Sequence, residues 1–398
     1  MGRGKFSRSP KTCLDKACSN KYITFVLNVR SIVVPLIALL LFSVALTSCN
    51  HRGTAAAVSG NHVKIAYIGL TCEAPIFVAF HKGFFAEEGL DPELVKTSWD
   101  AMQQGLSFGT FDATHTLVPY LLKPIEQGVN VKITGGIHKG CLRIQAGIKT
   151  NIHSIADLRG KRIGVSTLGS PPMIFANRVF ISHGLDVTKD VEWIVYPNDV
   201  LELALEKGRV DAVADSEPIG SLLLARNKVR NIVDQAVDAP YKDEYCCAIV
   251  VSGSLAKNNP TAAAKITRAL LKAAKWVETN PTAAADLSIK HKYLSSTLEL
   301  NSTAIAQLRY IPAVSACRAG VSSLAREMKQ TGVLNSSTDP EALTARAWQS
   351  LDGVTDQWLS TVTVETVPNG GKPPLDPTAL LSAMVASKGA CCAKCCVE

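Results

Sequence analysis

Gly135-Gly136-Ile137-His138-Lys139-Gly140-Cys141-Leu142-Arg143-Ile144-Gln145-Ala146-Gly147 separates two stretches of chain built on one plan. Glycine takes positive φ at little cost and lets a backbone approach a ligand, so the first half reads as a loop. That loop carries His138, Lys139 and Cys141, three side chains that bind or titrate. The second half, Leu142 to Gly147, alternates apolar and polar residues as a short strand does. Ahead of it, Val63–Ile68 is a β-rich strand and Pro75 suits the first turn of a helix that Gly89 stops. A strand at Glu93–Thr97, a helix inside 105–128 and a strand at Val131–Thr134 follow. Behind it the pattern restarts, with a strand ending at Val165, a helix starting at Pro171-Pro172, a strand at Val191–Tyr196, a helix at Asp199–Lys207 and a strand at Val210–Asp215. Strand and helix in alternation predict an α/β fold with mixed, mainly parallel sheets.

Gly208-Arg209-Val210-Asp211-Ala212 echoes Gly109-Thr110-Phe111-Asp112-Ala113, as two lobes of similar plan would. Cys246–Val251 is an apolar run that would carry the chain back. Pro260–Asn280 is a long amphipathic helix, and helical patterns continue over 282–294, 301–311, 319–330 and 339–351. Beyond Pro368-Asn369-Gly370-Gly371 a short helix is possible at 377–387, before a tail that ends Cys391-Cys392-Ala393-Lys394-Cys395-Cys396.

The 398 residues are 47% hydrophobic and 19% charged, enough for two ordinary domains. The net charge of +8 is concentrated at the start, where residues 1–48 carry seven basic side chains against Asp15. The remainder is close to balance, so a nucleic-acid partner is not expected. After Arg30 an uncharged apolar run, Ser31–Ala45, leads to Leu46-Thr47-Ser48-Cys49, the order of an export signal. The tetrapeptide resembles the lipobox of bacterial lipoproteins, which implies cleavage before Cys49, a lipid on its sulfur, and a place on the outer face of the cell membrane. Residues 1–48 are then the signal peptide and 49–62 an Ala/Gly/Ser/Thr-rich tether. Of the twelve cysteines, the mature chain keeps an odd number of free candidates, which cannot all pair with one another.

Four strings identify a family: LTCEAPIFVAFHKGFFAEEGL after the first strand, GTFDATHT, HSIADLRGKRIGVSTLGS, and LEKGRVDAVADSEP. Residues 63–320 resemble the solute-binding proteins of ABC importers in the nitrate, sulfonate, taurine and thiamine-precursor group. The resemblance implies a two-lobe periplasmic-binding-protein-like fold (type II), with lobe 1 at 63–146 plus 248–330, lobe 2 at 147–247 and a helical, Cys-rich extension at 331–398. The crossings between lobes are expected near Gly147 and near Cys246–Ala248. It further implies a receptor rather than an enzyme, which needs no cofactor, captures a small anionic or zwitterionic solute between the lobes, and closes to present it to a membrane permease and its ATPase. The same fold resembles the pyrimidine synthase of fungal thiamine biosynthesis, whose cysteine-rich run corresponds to Tyr245-Cys246-Cys247. The export pattern argues against that cytosolic alternative.

On this template the solute contacts are Thr71, Cys72 and Glu73 after the first strand, Thr114 and His115 after the next, then His138, Lys139 and Cys141. Ser166, Gly169 and Ser170 precede the proline-started helix as an oxyanion cradle, and Glu217 follows a strand. Each has a plainer role: Thr71–Glu73 capping a helix, Lys139 a solvated lysine, Glu217 a brace at the hinge. Four thiols, Cys72, Cys141, Cys246 and Cys247, lie near the cleft with His138 and have the chemistry of a soft-metal site. Their spacing contains no CxxC, and buried free thiols account for them equally well, so no metal is assigned.

Overall fold

The computed structural model describes residues 61–368 and 370. The expected export signal, Cys49, most of the expected tether, the helix expected at 377–387 and the tail cysteines lie outside them. Ten strands form two five-stranded sheets. The first comprises β1 (His62–Tyr67), β2 (Asp91–Lys96), β3 (Ala113–Leu117), β4 (Val131–Lys139) and β10 (Tyr245–Ser252), in the order β2-β1-β3-β10-β4. The second comprises β5 (Leu142–Gly147), β6 (Lys161–Val165), β7 (Val191–Val195), β8 (Ala212–Ser216) and β9 (Val229–Asp234), in the order β7-β6-β8-β5-β9.

The two orders are the same plan used twice. In each sheet the first three strands pair in parallel through helical crossovers, and the fourth place holds an antiparallel strand. That fourth strand is always the one arriving from the other lobe: β5 enters the second sheet, and β10 returns to the first. The sheets are therefore mixed. The chain passes between them at Gly140-Cys141 and again just before Tyr245, so the first crossing falls six residues ahead of the expected Gly147 and the second slightly ahead of Cys246.

The repeated Gly-x-x-Asp-Ala string has a physical basis. Asp112 accepts a hydrogen bond from the Lys64 backbone N–H at 2.8 Å, and Asp211 accepts one from the Arg162 N–H at 3.0 Å. Each aspartate stands one residue before the strand that is third in its sheet order, β3 or β8, and fixes its register on the neighbouring β1 or β6, pairing Ala113 with Ile65 and Ala212 with Ile163.

The glycine-rich loop expected at 135–140 is mostly strand. β4 runs unbroken to Lys139, and its paired glycines answer to packing: a Cβ on Gly136 would stand 2.6 Å from the Tyr245 ring and 2.7 Å from Cys317 Cβ. Only Gly140 takes the left-handed conformation, at φ +69°, where a Cβ would meet Ala236 at 2.4 Å. The helix expected from Pro75 to Gly89 is two, Ala74–His81 and Phe84–Glu87, parted at Gly83 with φ +76°.

Alternation in β5 does not mark a solvent face, since all six residues are buried. Its polar side chains have buried partners instead. Gln145 donates to Asn231 at 2.7 Å, and Arg143 donates to Asp234 at 2.8 Å.

The helix Pro260–Thr279, capped where Asn259 accepts from the Ala262 N–H at 3.0 Å, buries an apolar face against the first lobe. Residues 331–368 belong to that lobe too, where a separate extension was expected. Trp348 bridges to Ile133 beside β4, Lys275 donates to the carbonyls of Leu359 and Val362, and Asn280 accepts from the Val367 N–H. Among the described residues no helix is long and apolar enough to cross a membrane.

The lobes also meet through side chains. Arg178, on the second-lobe helix Pro171–Ser182 and fully buried, binds Glu244 at 2.8 Å and Glu327 of the first-lobe helix Ser315–Gln330 at 2.5 Å. Arg143 of β5 donates to Gln307 of the first-lobe helix Leu298–Gln307 at 3.1 Å.

Candidate functional site: the cleft at the crossings

Strand ends of the first sheet and both crossings converge on one buried cluster. Cys72 lies in the turn Thr71–Glu73 that follows β1, His115 on β3, His138 near the end of β4, Cys141 at the first crossing, and Cys246 and Cys247 at the start of β10. All six are buried. Register pairs Cys247 with His138 and Ile249 with His115, which puts both imidazoles on one face of the sheet. The rings meet edge to face with centroids 5.2 Å apart, and Tyr310 stands 5.2 Å from His138 on another side.

In a regular strand Cys246 and Cys247 would point to opposite faces. Irregular pairing on either side of Cys247 breaks the alternation, and their sulfurs come within 3.9 Å. Cys246 Sγ lies 3.0 Å from Cys141 Sγ. One donor atom each from Cys72, His138, Cys141 and Cys247 all lie within 4.8 Å of one another. The hydrogen bond with Cys141 pushes the Cys72 thiol up to about 11, and burial pushes Cys141 up to about 11, so without a cation these groups hold their protons.

Burial, with the nearby His138, drives His115 well below its ordinary value, so it is a neutral imidazole. Neither ring nitrogen of His115, nor of His138, has a hydrogen-bond partner among the described residues. The Thr116 hydroxyl, on the opposite face of β3, is also buried and unpartnered. Buried polar groups in native folds are nearly always paired, and these two rings stand together without partners among the described residues.

Other expected contacts are engaged elsewhere. Glu73 accepts from the N–H groups of Ile68, Gly69 and Leu70, which closes its own loop and leaves the capping role. Thr71 donates to Asn301 at 2.7 Å, and the Tyr310 hydroxyl donates to the Cys72 carbonyl at 3.2 Å, so residues far along the chain buttress this turn. Thr114 donates to the Ala66 carbonyl at 2.8 Å. Glu217 pairs with Arg143 and accepts from the Ser221 hydroxyl at 2.7 Å, the bracing role. Lys139 is half-buried with its ammonium 5.5 Å above the Tyr245 ring.

In the second lobe Ser166 is half-buried, Gly169 is exposed with φ +73°, and Ser170 stands just before the Pro171–Ser182 helix with a buried hydroxyl that makes no capping bond. Pro171 and Pro172 have no N–H, so this helix start offers fewer donors to an oxyanion than a cradle needs. Asp215 is buried with both carboxylate oxygens unpartnered, and burial raises it well above the ordinary range. Asn301, Tyr310, Gln307 and Arg143 had no signal in the sequence, because their importance comes only from contacts made across long chain separations.

The sequence profile of the NMT1-like family matches residues 56–290. The chain belongs to that family. Among curated proteins it is 26% identical over 257 residues to the nitrate/nitrite binding protein NrtA of Synechococcus elongatus, covering 57% of this chain and 56% of the relative. It is 32% identical over 142 residues to a putative thiamine biosynthesis protein of Haemophilus influenzae, covering 35% of this chain and 44% of that one. The NMT1-like chain thus spans about half the length of these relatives. Among solved structures, the periplasmic nitrate-binding protein NrtA from Synechocystis PCC 6803 superposes with a TM-score of 0.62 at 17% identity, over 81% of this chain and 98% of that one. This NMT1-like chain therefore has the periplasmic-binding-protein fold.

Proposed function

We propose that the protein is a lipid-anchored extracytoplasmic receptor of an ABC importer, which captures a small anionic or zwitterionic solute between its lobes and delivers it to a permease. The observation that carries this reading is the buried pair of imidazoles, His115 and His138, whose ring nitrogens are unpartnered beside the crossings. Such a pair is costly in the empty protein and is relieved by a solute that supplies the missing hydrogen bonds. Family membership and the nitrate-binding relatives support the same reading.

The charges narrow the solute. Arg143 is matched by Glu217 and Asp234, and Lys139 faces an aromatic ring, so a bare anion finds little uncommitted positive charge. A zwitterion of the taurine kind fits better, because it brings its own cation and presents acceptors to backbone and side-chain donors.

A thermal-shift screen of taurine, alkanesulfonates and nitrate tests this directly. A true solute at a hundred times its Kd adds roughly 2.7 kcal/mol to stability. His115→Ala should abolish that gain while the solute-free protein stays folded by circular dichroism. A gain that survives His115→Ala undiminished would place the solute elsewhere. Labelling with a fatty acid that is lost in Cys49→Ser tests the anchor.

A further inference from the structure

We propose that Cys72, His138, Cys141 and Cys247 bind a soft metal ion with a filled d shell, of which zinc(II) is the type. Their donor atoms lie within 4.8 Å of one another and all four residues are buried. A tetrahedral zinc ion holds thiolates at roughly 2.3 Å, which sets neighbouring donors roughly 3.8 Å apart. Shifts of an ångström or less in side chains carried on short turns and strand ends would bring the four donors onto that tetrahedron.

The donor chemistry selects the ion. Three sulfurs and one imidazole suit zinc, cadmium or copper(I), and exclude calcium and magnesium, which take oxygen ligands. With all four positions supplied by the protein, the site is closed and has no place for a catalytic water.

A second observation points to a ligand independently of the thiols. His138 is fully buried, and neither ring nitrogen has a hydrogen-bond partner among the described residues. Packing alone leaves that imidazole with a desolvation cost and nothing to offset it, whereas one bond to an ion satisfies a nitrogen outright.

The chain prepares the site in three ways. The irregular pairing of β10 turns Cys247 toward the cluster. Tyr310 holds the Cys72 carbonyl, which fixes the turn that carries this thiol. Thr71 donates to Asn301 at 2.7 Å, which anchors the residue beside Cys72.

The placement gives the ion a consequence. Cys141 belongs to the first crossing, Cys247 follows the second, and Cys72 hangs from the adjacent turn, so a bound ion ties together the segments about which the lobes turn. His138 is shared with the group assigned to the solute, so a bound ion leaves His115 to meet that solute.

The test uses the full chain with Cys391→Ser, Cys392→Ser, Cys395→Ser and Cys396→Ser, so that tail thiols do not contribute. Reduced protein is stripped with chelator, exposed to zinc, dialysed and measured by elemental mass spectrometry, with cobalt(II) as a spectroscopic substitute. The expected result is a single zinc ion retained per chain and the visible bands of tetrahedral cobalt with thiolate charge transfer. Cys247→Ser and His138→Ala should each weaken zinc binding at least about tenfold, the size of loss that outer-shell changes already produce. Cys317→Ser, at a buried cysteine outside the group of four, should retain zinc like the parent and controls for a general loss of packing.

Failure of the reduced protein to retain zinc would overturn the site, as would a loss in Cys317→Ser equal to that in Cys247→Ser. A Cys141–Cys246 disulfide in the protein as isolated, seen as an intact mass lower by two hydrogens, would overturn it as well. None of these readouts involves the solute, so a negative result leaves solute capture standing.

Discussion

Asp215 shows how much a single side chain here depends on its surroundings. It sits in β8 with its carboxylate buried beside Arg143, whose guanidinium is already committed to Glu217 and Asp234. Gly220 makes room for this arrangement, since a Cβ there would stand 2.6 Å from an Asp215 oxygen and 2.9 Å from Arg143. Burial raises Asp215 well above its ordinary value, so the folded protein keeps a proton that the unfolded chain releases near pH 3.9. Across that window the native state binds more protons than the unfolded one. Stability from this residue is therefore greatest at low pH and falls as pH rises toward the folded value. Asp215→Asn should flatten that fall, and urea midpoints compared at about pH 5 and about pH 8 will read it. An unchanged slope in the variant would mean that Asp215 is ionised in the fold.

At the scale of elements, the clearest device is the aspartate that stands just before β3 in one sheet and β8 in the other. Asp112→Ala leaves the part-buried Lys64 N–H of β1 without its partner, and Asp211→Ala the Arg162 N–H of β6 together with the Arg162 side chain, each costing about 1 kcal/mol or more. Because the two act on separate sheets, the double variant should lose the sum of the single losses to within about 0.5 kcal/mol, measured by denaturant titration. Strong coupling between them would contradict the division into two similar lobes.

These aspartates were legible because the same local need recurs at both positions, so it left a repeated string. Strands built from β-branched runs were legible for the same local reason. β9 was not: Val229–Asp234 is an edge strand whose Arg230 donates to the carbonyls of Ile148, Thr150 and Ile152, and Arg230, Asn231 and Asp234 interrupt its β-branched Val229, Ile232 and Val233. Gly135-Gly136 misled because glycine signals a turn and close packing alike, and the ring that demands it belongs to Tyr245, more than a hundred residues on. Within the site, the nearness of Cys72, Cys141, Cys246, Cys247 and His138 followed from the family plan, but which of the two adjacent cysteines joins the group of four was not legible, because β10 pairs irregularly on either side of Cys247.

For the whole molecule, the side-chain ties between the lobes are what the proposed opening would have to loosen. Arg178 is the central one, fully buried between Glu244 of its own lobe and Glu327 of the other. Arg178→Ala would strand two carboxylates and cost about 3–5 kcal/mol. Glu327→Gln is the gentler test, since it removes charge from the interlobe partner alone and leaves Glu244 to neutralise the arginine. This variant should populate open forms more in the solute-free state, seen as a larger radius of gyration by small-angle scattering, and should bind solute more weakly in proportion to the closed population it has lost. A compact variant with unchanged affinity would assign closure to the crossings rather than to this ion pair.

The exchange of fourth strands also bears on how the protein is made. A ribosome delivers β1 to β4 first, but β3 and β4 do not touch until β10 arrives between them, after the whole second sheet has been synthesised. The second lobe suffers no such delay, since β5 leads its own strands in sequence. Nascent chains therefore complete the later lobe before the earlier one, and the earlier one waits with two open strand edges that invite pairing with other chains. A chaperone, or a translocation channel that holds the chain extended until its end is through, protects the edges best by keeping residues 113–139 apart from their neighbours until Ser252 has emerged.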